Sequence, residues 1–516
     1  MARVKSRNLF ELIKSLNKNE KRYFKMMASA SSQNEDKKIL QLFEFINKSE
    51  TFDEDNILKK LPALKAEQLS NLKAYLYYKI LQAVRQYTGS KLLDIQIREL
   101  IDFAQLLFER RLYNQGINCL KKAKKLALTH DNLELQLEII KLEKSVLMQT
   151  IGDDENKVDT IIQEVKKINT QINNINIFSN LSIKLNSYYT KIGFIRGEND
   201  FIQVREFFFS NIPDTKEEAL SIIEKIYLYK LYIGYYFFIQ DLENGYLSSQ
   251  KMVKLFEENQ QIIKSHPEDY IKALNNLLIA QFKLFRFGEF EITNKKLHSI
   301  EKNHSLRINE SIRIRLLKYY YMHEINRYFM MGDFDKGVEL ITVQIPEIEE
   351  LIGGLDKHSA LILNYKIACL YVGASNYRQS VKWLNKIINI SNADIREDLH
   401  CFARIINLIC HYELGNFDVI NYYIISTYRF LLKKDDLYLF QKSILNFLKD
   451  LNKEAGNTEL VERFANLKRQ LLPLVNSTFE KRAFIYFDII SWLESKIENR
   501  PVQEVIRDKF LKRVKT

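Results

Sequence analysis

Glycine and proline are scarce in this 516-residue chain, which has 15 and 6 of them, where an ordinary composition holds about 7% and about 5%. That scarcity argues against a strand-rich fold dense in turns and points to long helices. Cysteine is equally sparse: Cys119, Cys369, Cys401 and Cys410 form no C-x-x-C pair, which excludes a disulfide framework and suggests reduced thiols in a cytoplasmic setting. Long apolar runs are missing too. The most membrane-like segment, Ile226–Ile239, has 14 residues, contains Lys230 and is closed by Asp241, whereas a bilayer span needs about 20; its seven aromatic residues suit a buried helix and no membrane partner. The basic amino terminus has no apolar core or small-residue cleavage site and is read as lacking a secretory signal.

Signatures of catalysis are absent as well. The eight histidines show no H-E-x-x-H spacing, and the chain has no G-x-S-x-G and no Gly-rich phosphate loop, so neither an enzyme nor a cofactor is expected. The nearest approach to a metal constellation is His400, Cys401, Cys410 and His411 on one helix. At about 1.5 Å per residue the two histidines stand roughly 16 Å apart, and the cysteines point in opposite directions, so the four cannot close on one tetrahedral zinc.

What is present is a repeat. A turn followed by an aromatic recurs in "RFGEFEITNKKL" (Gly288, Phe290), "MMGDFDKGVELI" (Gly332, Phe334), "GASNYRQSVKWL" (Tyr377) and "ELGNFDVINYYI" (Gly415, Phe417), at spacings of 44, 43 and 40 residues. Tyr246, Phe201 and Tyr113 extend the series toward the amino terminus, with Lys157 at the fainter unit between the last two, and Thr458 continues it forward. Nine units result. Gly is frequent two residues before the mark, where it can end a helix in the left-handed conformation. A small residue lies three beyond the mark in several units (Gly116, Ser249, Thr293, Gly337, Ser380), and a large apolar one lies seven beyond in most (Leu120, Val253, Leu297, Ile341, Leu384, Ile424). That is the pattern of two helices meeting closely in a hairpin.

The pattern resembles the tetratricopeptide repeat, although its period of 40–45 residues exceeds that family's 34 and most units lack the closing proline. The resemblance implies an all-α, right-handed α–α superhelix of about nine hairpins with inner helices lining a concave groove. On that expectation the residues about five and eight before each mark face a partner: Phe282 and Phe285, Asn326 and Phe329, Ile409 and Tyr412.

Three segments are expected: a basic helical module at 1–92, the repeats at 93–475, and capping helices with a basic tail at 476–516. Asn17 with Glu20 and Ser477 with Glu480 have capping-box spacing. The net charge of +12 sits at the ends, +8 from Met1 to Lys91 and +4 from Arg500 to Thr516. Lys18, Lys21, Arg22 and Lys25 form one candidate basic patch; Arg110, Arg111, Lys121, Lys124 and Lys125 form another. "FDEDNILKKLPALKAEQLSNLKAYLYYKIL" has the outline of a DNA-binding helix-turn-helix with Pro62 in place of the turn glycine. The expected function is a non-catalytic scaffold that binds a protein or peptide in the groove. The alternative is a regulator whose basic module contacts nucleic acid while the repeats sense a partner.

Overall fold

The computed structural model describes every residue except 1–5, 31–33, 51–56, 58, 61–65, 90–91, 151–154, 193–194, 196, 303–305, 307, 391–394, 435–438, 451–456, 476, 478–483, 485–486 and 516. Pro62 of the helix-turn-helix outline, Glu480 of the second capping box, and the turns expected at Gly152 and Gly456 lie outside the described residues. Within them the chain is all-α, with 25 helices and no strand. It forms two compact units, Met1–Ile168 and Asn169–Thr516.

The first unit holds α1 (Ser6–Ser15), α2 (Lys18–Ala30), α3 (Asn34–Lys48), α4 (Ala66–Gly89), α5 (Leu93–Glu109), α6 (Tyr113–Thr129) and α7 (Leu133–Thr150), and α8 (Glu155–Ile192) begins in it. Helices α1–α4 share one core around Phe24 and Phe43. Asn17 caps α2: its Oδ1 accepts the Glu20 amide at 3.0 Å, and its own amide donates to the Glu20 carboxylate at 2.9 Å, the reciprocal pair the sequence predicts. Helices α5–α7 build a second core from Ile97, Ile101, Leu120 and Ile139.

The second unit continues through α9 (Glu198–Asn211), α10 (Ile222–Phe238), α11 (Leu242–Glu258), α12 (Gln260–Ser265), α13 (Pro267–Lys283), α14 (Phe287–Ser299), α15 (Glu310–Met331), α16 (Phe334–Val343), α17 (Ile345–Gly354), α18 (Lys357–Gly373), α19 (Tyr377–Ile388), α20 (Glu397–Glu413), α21 (Phe417–Lys433), α22 (Leu439–Asp450), α23 (Asn457–Val475), α24 (Ile489–Ile497) and α25 (Val502–Lys515). Hairpins α10/α11, α13/α14, α15/α16, α18/α19 and α20/α21 follow one another, and the first helices of successive hairpins pack together from α13 to α22. The segment Ile226–Ile239 is the body of α10, where Lys230 is bridged to Asp269 at 2.7 Å. No helix among the described residues is long and apolar enough to cross a membrane.

One backbone device makes these hairpins. Arg111, Gln240, Phe285, Gly332, Ser375 and Gly415 all have φ between 57° and 69°. In each case the next residue's N–H donates to the carbonyl five residues back, as Arg286 does to Gln281 at 2.8 Å and Asp333 to Tyr328 at 3.2 Å. This is the 6→1 bond of a Schellman ending, and it satisfies a carbonyl the helix would otherwise orphan. The second helix starts two residues after the left-handed residue, at Tyr113, Phe334, Tyr377 and Phe417 as the repeat predicts.

Three units correct the predicted register: α9 opens at Glu198, with the expected mark Phe201 three residues inside it, and the two hairpins that follow are displaced in the same direction. Leu242 and Phe287, rather than Tyr246 and Phe290, open their helices, and Gly288 lies inside the first turn of α14 while Phe285 takes the left-handed position. Gly245 then occupies the small position three residues on, where a Cβ would fall 2.5 Å from the Phe237 ring. The sequence pattern was displaced because Phe290 is wholly buried and looks like a mark, while the backbone bond tolerates a non-glycine residue at the turn.

Gly332 carries a second constraint. A Cβ there would lie 2.5 Å from the Arg507 amide nitrogen of α25, and this end of α25 is fastened by Gln503 Nε2 to Asp335 Oδ2 at 2.8 Å and by Arg507 to Asp333 at 3.3 Å. The last helix is therefore packed back on the α15/α16 turn. At Gly415 the nearest atom to a Cβ is 3.9 Å away. Gly415→Ala should lose only the left-handed penalty of about 1–2 kcal/mol, and Gly332→Ala, which adds overpacking against backbone, about 2–5 kcal/mol. Denaturant titration of the two variants checks the order, and equal losses would remove the docking of α25 as a constraint.

Candidate functional site

With the register corrected, the residue eight before each second helix is Ile279, Asn326 and Cys369 in three consecutive hairpins, and all three line one cavity of about 600 Å³ in the second unit. Phe282, Phe285 and Phe329 line it as well, so four of the six predicted groove residues converge. Ile409 and Tyr412 do not join them. Ile409 is fully buried in the core, and Tyr412 meets Phe417 and Phe464 edge-on, because α20 turns that face toward α23 and α24 instead.

One wall of the cavity is built by the chain's own carboxyl-terminal segment. Val475, Phe484, Phe487, Ile490, Val502, Ile506 and Arg513 contribute to its wall. Phe510 lies against the rings of Phe285 and Phe287 at 6.3 and 4.8 Å, and the Arg513 guanidinium lies 4.3 Å over Phe285. Ion pairs hold the segment in place: Lys496 with Glu413 at 2.5 Å, and Glu494 with Lys468 and Lys509 at 2.8 and 2.6 Å.

Charge inside the cavity is one-sided. Lys283, Lys366, Arg396, Lys509 and Arg513 line it against the single carboxylate Asp488, which already caps α24 through the Ser491 amide at 3.0 Å. Arg396 is matched by a bidentate pair to Asp398 at 2.9 and 2.8 Å, both side chains almost wholly buried. Lys366 is different. Its Nζ donates to Asn326 Oδ1 at 2.5 Å and stands 5.2 and 5.8 Å over the Phe282 and Phe329 rings. Among the described residues no carboxylate lies within ion-pair distance of it.

The bond from Lys366 fixes a buried polar chain. Asn326 Oδ1 is taken by the ammonium, so its Nδ2 donates to His323 Nδ1 at 3.3 Å, leaving Nε2–H of a neutral imidazole to donate to Asn275 Oδ1 at 3.0 Å. Burial, aided by Lys366, pushes His323 down to about 3, in keeping with a neutral ring. Burial also pulls Lys283 down to about 7, with Arg396 and Lys366 adding repulsion, and Lys366 down to about 8. The surface these two lysines keep faces the cavity. Cys369 is pushed up to about 12 by burial and is held as a thiol.

The groove prediction passed over Lys366, although a signal existed. It is the lone charge in "ALILNYKIACLYVG", Ala360–Gly373, and an unaccompanied lysine on an apolar helix asks what it faces. The contribution of residues 475–513 had no signal at all, since it depends on contacts some 170 positions apart in the chain, such as Gln503 with Asp335.

The basic patches are only partly open. Lys18 and Arg22 are exposed on α2, as are Arg110, Arg111, Lys121 and Lys125. Lys21 is half-buried, and Lys25 pairs with Glu44 at 3.0 Å. Lys124 is held between Glu143 and Glu164 at 3.0 and 2.8 Å, which corrects its place in a free patch: its charge stitches α6 to α7 and α8. The two sets belong to separate cores of the first unit. Of the constellation on α20, His400, Cys401 and Cys410 are buried in the core, and His411 stacks on Tyr423.

No protein-family model, curated protein or solved structure matches this chain.

The Lys366 charge gives a pH signature. Its folded value lies below the ordinary 10.5, so between the two the unfolded chain holds a proton that the folded chain has released, and stability rises with pH across that window. The difference in stability between the wild type and Lys366→Met should move by about 2 kcal/mol in the wild type's favour from about pH 7 to about pH 10. Denaturant titrations at the two pH values measure it, and a constant difference would mean the ammonium is not desolvated.

Proposed function

We propose that the protein is a non-catalytic scaffold of tetratricopeptide-like hairpins, wound as a right-handed superhelix, that binds a segment of a protein or peptide partner on the inner side of its second unit. The observation that carries this reading is the convergence of Ile279, Asn326 and Cys369, equivalent positions of three successive hairpins, on one cavity together with Phe282 and Phe329. Repeat scaffolds recognise partners through surfaces to which each unit adds the same position. A pocket of that size, largely apolar with a few placed polar groups, is the usual form of a binding site. The test compares the wild type with the double variant Asn326→Ala/Phe329→Ala as bait in quantitative affinity purification, with helicity and melting measured on both. Loss of a specific partner from a variant that stays folded is expected, and equal recovery overturns the reading.

A second reading, contact with nucleic acid through the first unit, draws on the exposed cations Lys18, Arg22, Arg110, Arg111, Lys121 and Lys125. On this reading the full chain retards a DNA or RNA duplex at about 50 mM salt and releases it by about 200 mM, as counterion release requires. Lys18→Glu/Arg22→Glu weakens the complex at every sequence tested. Failure to retard any duplex at the lower salt removes it.

A further inference from the structure

The cavity is chemically more selective than a general peptide groove. Arg396 is paired with Asp398 and Lys509 shares Glu494 with Lys468, but among the described residues the ammonium of Lys366 meets an amide oxygen, two ring faces and the neighbourhood of the Cys369 thiol, and no carboxylate. Removing a cation from water is unfavourable unless an opposite charge meets it. A neutral hydrogen-bond chain through Asn326 and His323 to Asn275 ties the amide that holds the ammonium in the wall. Lys283, at the end of α13 two hairpins earlier, lines the same cavity and is close enough for its charge to feel Lys366 and Arg396. Around these cations the walls are rings and aliphatic chains: Phe282, Phe329, Phe484, Phe487 and Ile506.

We infer that the cavity binds an organic anion consisting of one carboxylate on an apolar body, with the carboxylate on Lys366 beside Lys283 and the apolar body between the phenylalanine rings. This rests on the reading of the inner side of the second unit as a recognition surface and names what is recognised there. A carboxylate restores the missing charge through a charge-assisted hydrogen bond. The volume of about 600 Å³ admits a small organic molecule or a few residues of extended chain. The same cations disfavour a metal ion or an amine. Two sources share this chemistry, a free organic acid and the carboxyl terminus of a peptide.

The experiment is calorimetric titration of the full chain near pH 7 with decanoate, decanol and decyltrimethylammonium, and with a tetrapeptide of leucine and phenylalanine as its free acid and as its amide. At least one acid should bind about 10–100-fold more tightly than its neutral counterpart, the range a hydrogen bond between charged groups supplies, and the cationic probe should be weakest. Lys366→Met, and separately Lys283→Met should the first variant melt early, should erase the preference for the acid while leaving the weak binding of decanol. Decanoate binding without peptide binding supports the inference and counts against the peptide-partner reading. Free-acid peptide binding supports both. If neither acid is preferred, or if both folded lysine variants keep the preference, the inference is overturned, and the affinity purification with Asn326→Ala/Phe329→Ala still decides the partner reading separately.

Discussion

The hydrogen bond from the residue after each left-handed turn to the carbonyl five positions back is the constraint on which the rest depends. It appears at Leu112, Asp241, Arg286, Asp333, Asn376 and Asn416, at 2.8 to 3.2 Å. It fixes where one helix stops and the next starts, and hence which residues of the first helix share a face. Because the bond satisfies the helix end, the turn tolerates Arg111, Gln240, Phe285 and Ser375 in a conformation that costs a residue with a Cβ about 1–2 kcal/mol. Glycine is retained at Gly332 and Gly415, and at Gly332 the close approach of α25 demands it independently.

From that register follows the cavity. Residues eight positions before the second helix fall on one side of three successive hairpins, at Ile279, Asn326 and Cys369, and the wall on that side is apolar apart from Asn326, Lys283 and Lys366. Its other wall comes from the carboxyl-terminal helices, held by Glu413, Glu494 and Asp333 through ion pairs. Such pairs add little where they are exposed. The Glu413 and Asp333 side chains are largely buried, and there a missing partner would leave a desolvated charge. The carboxyl-terminal segment is thus bound by electrostatics as well as by Phe510 and Ile506.

Charge in the first unit shows how composition misleads. The sequence marks two basic patches there, yet Lys25 and Lys124 are absorbed by Glu44, Glu143 and Glu164, and the cations left exposed divide between two cores. Charge counts along a chain do not record which carboxylates fold beside which lysines.

The sequence by itself determined the helical class, the hairpin unit and its approximate period, since these rest on local backbone preferences and on apolar spacing along one helix. The resemblance to the tetratricopeptide repeat, carried by that pattern, also pointed to Phe282, Phe285, Asn326 and Phe329, which line the cavity. Tertiary structure alone decided three things. The turn register shifted at Phe285 and Gln240, where a backbone hydrogen bond replaced the side-chain signal. Ile409 and Tyr412 left the groove when α23 and α24 covered that face of α20. Lys366 became the distinctive charge of a cavity walled on one side by residues from 475 onward, because burial and charge matching are properties of groups brought together by the fold, and neither is written in the order of residues along the chain.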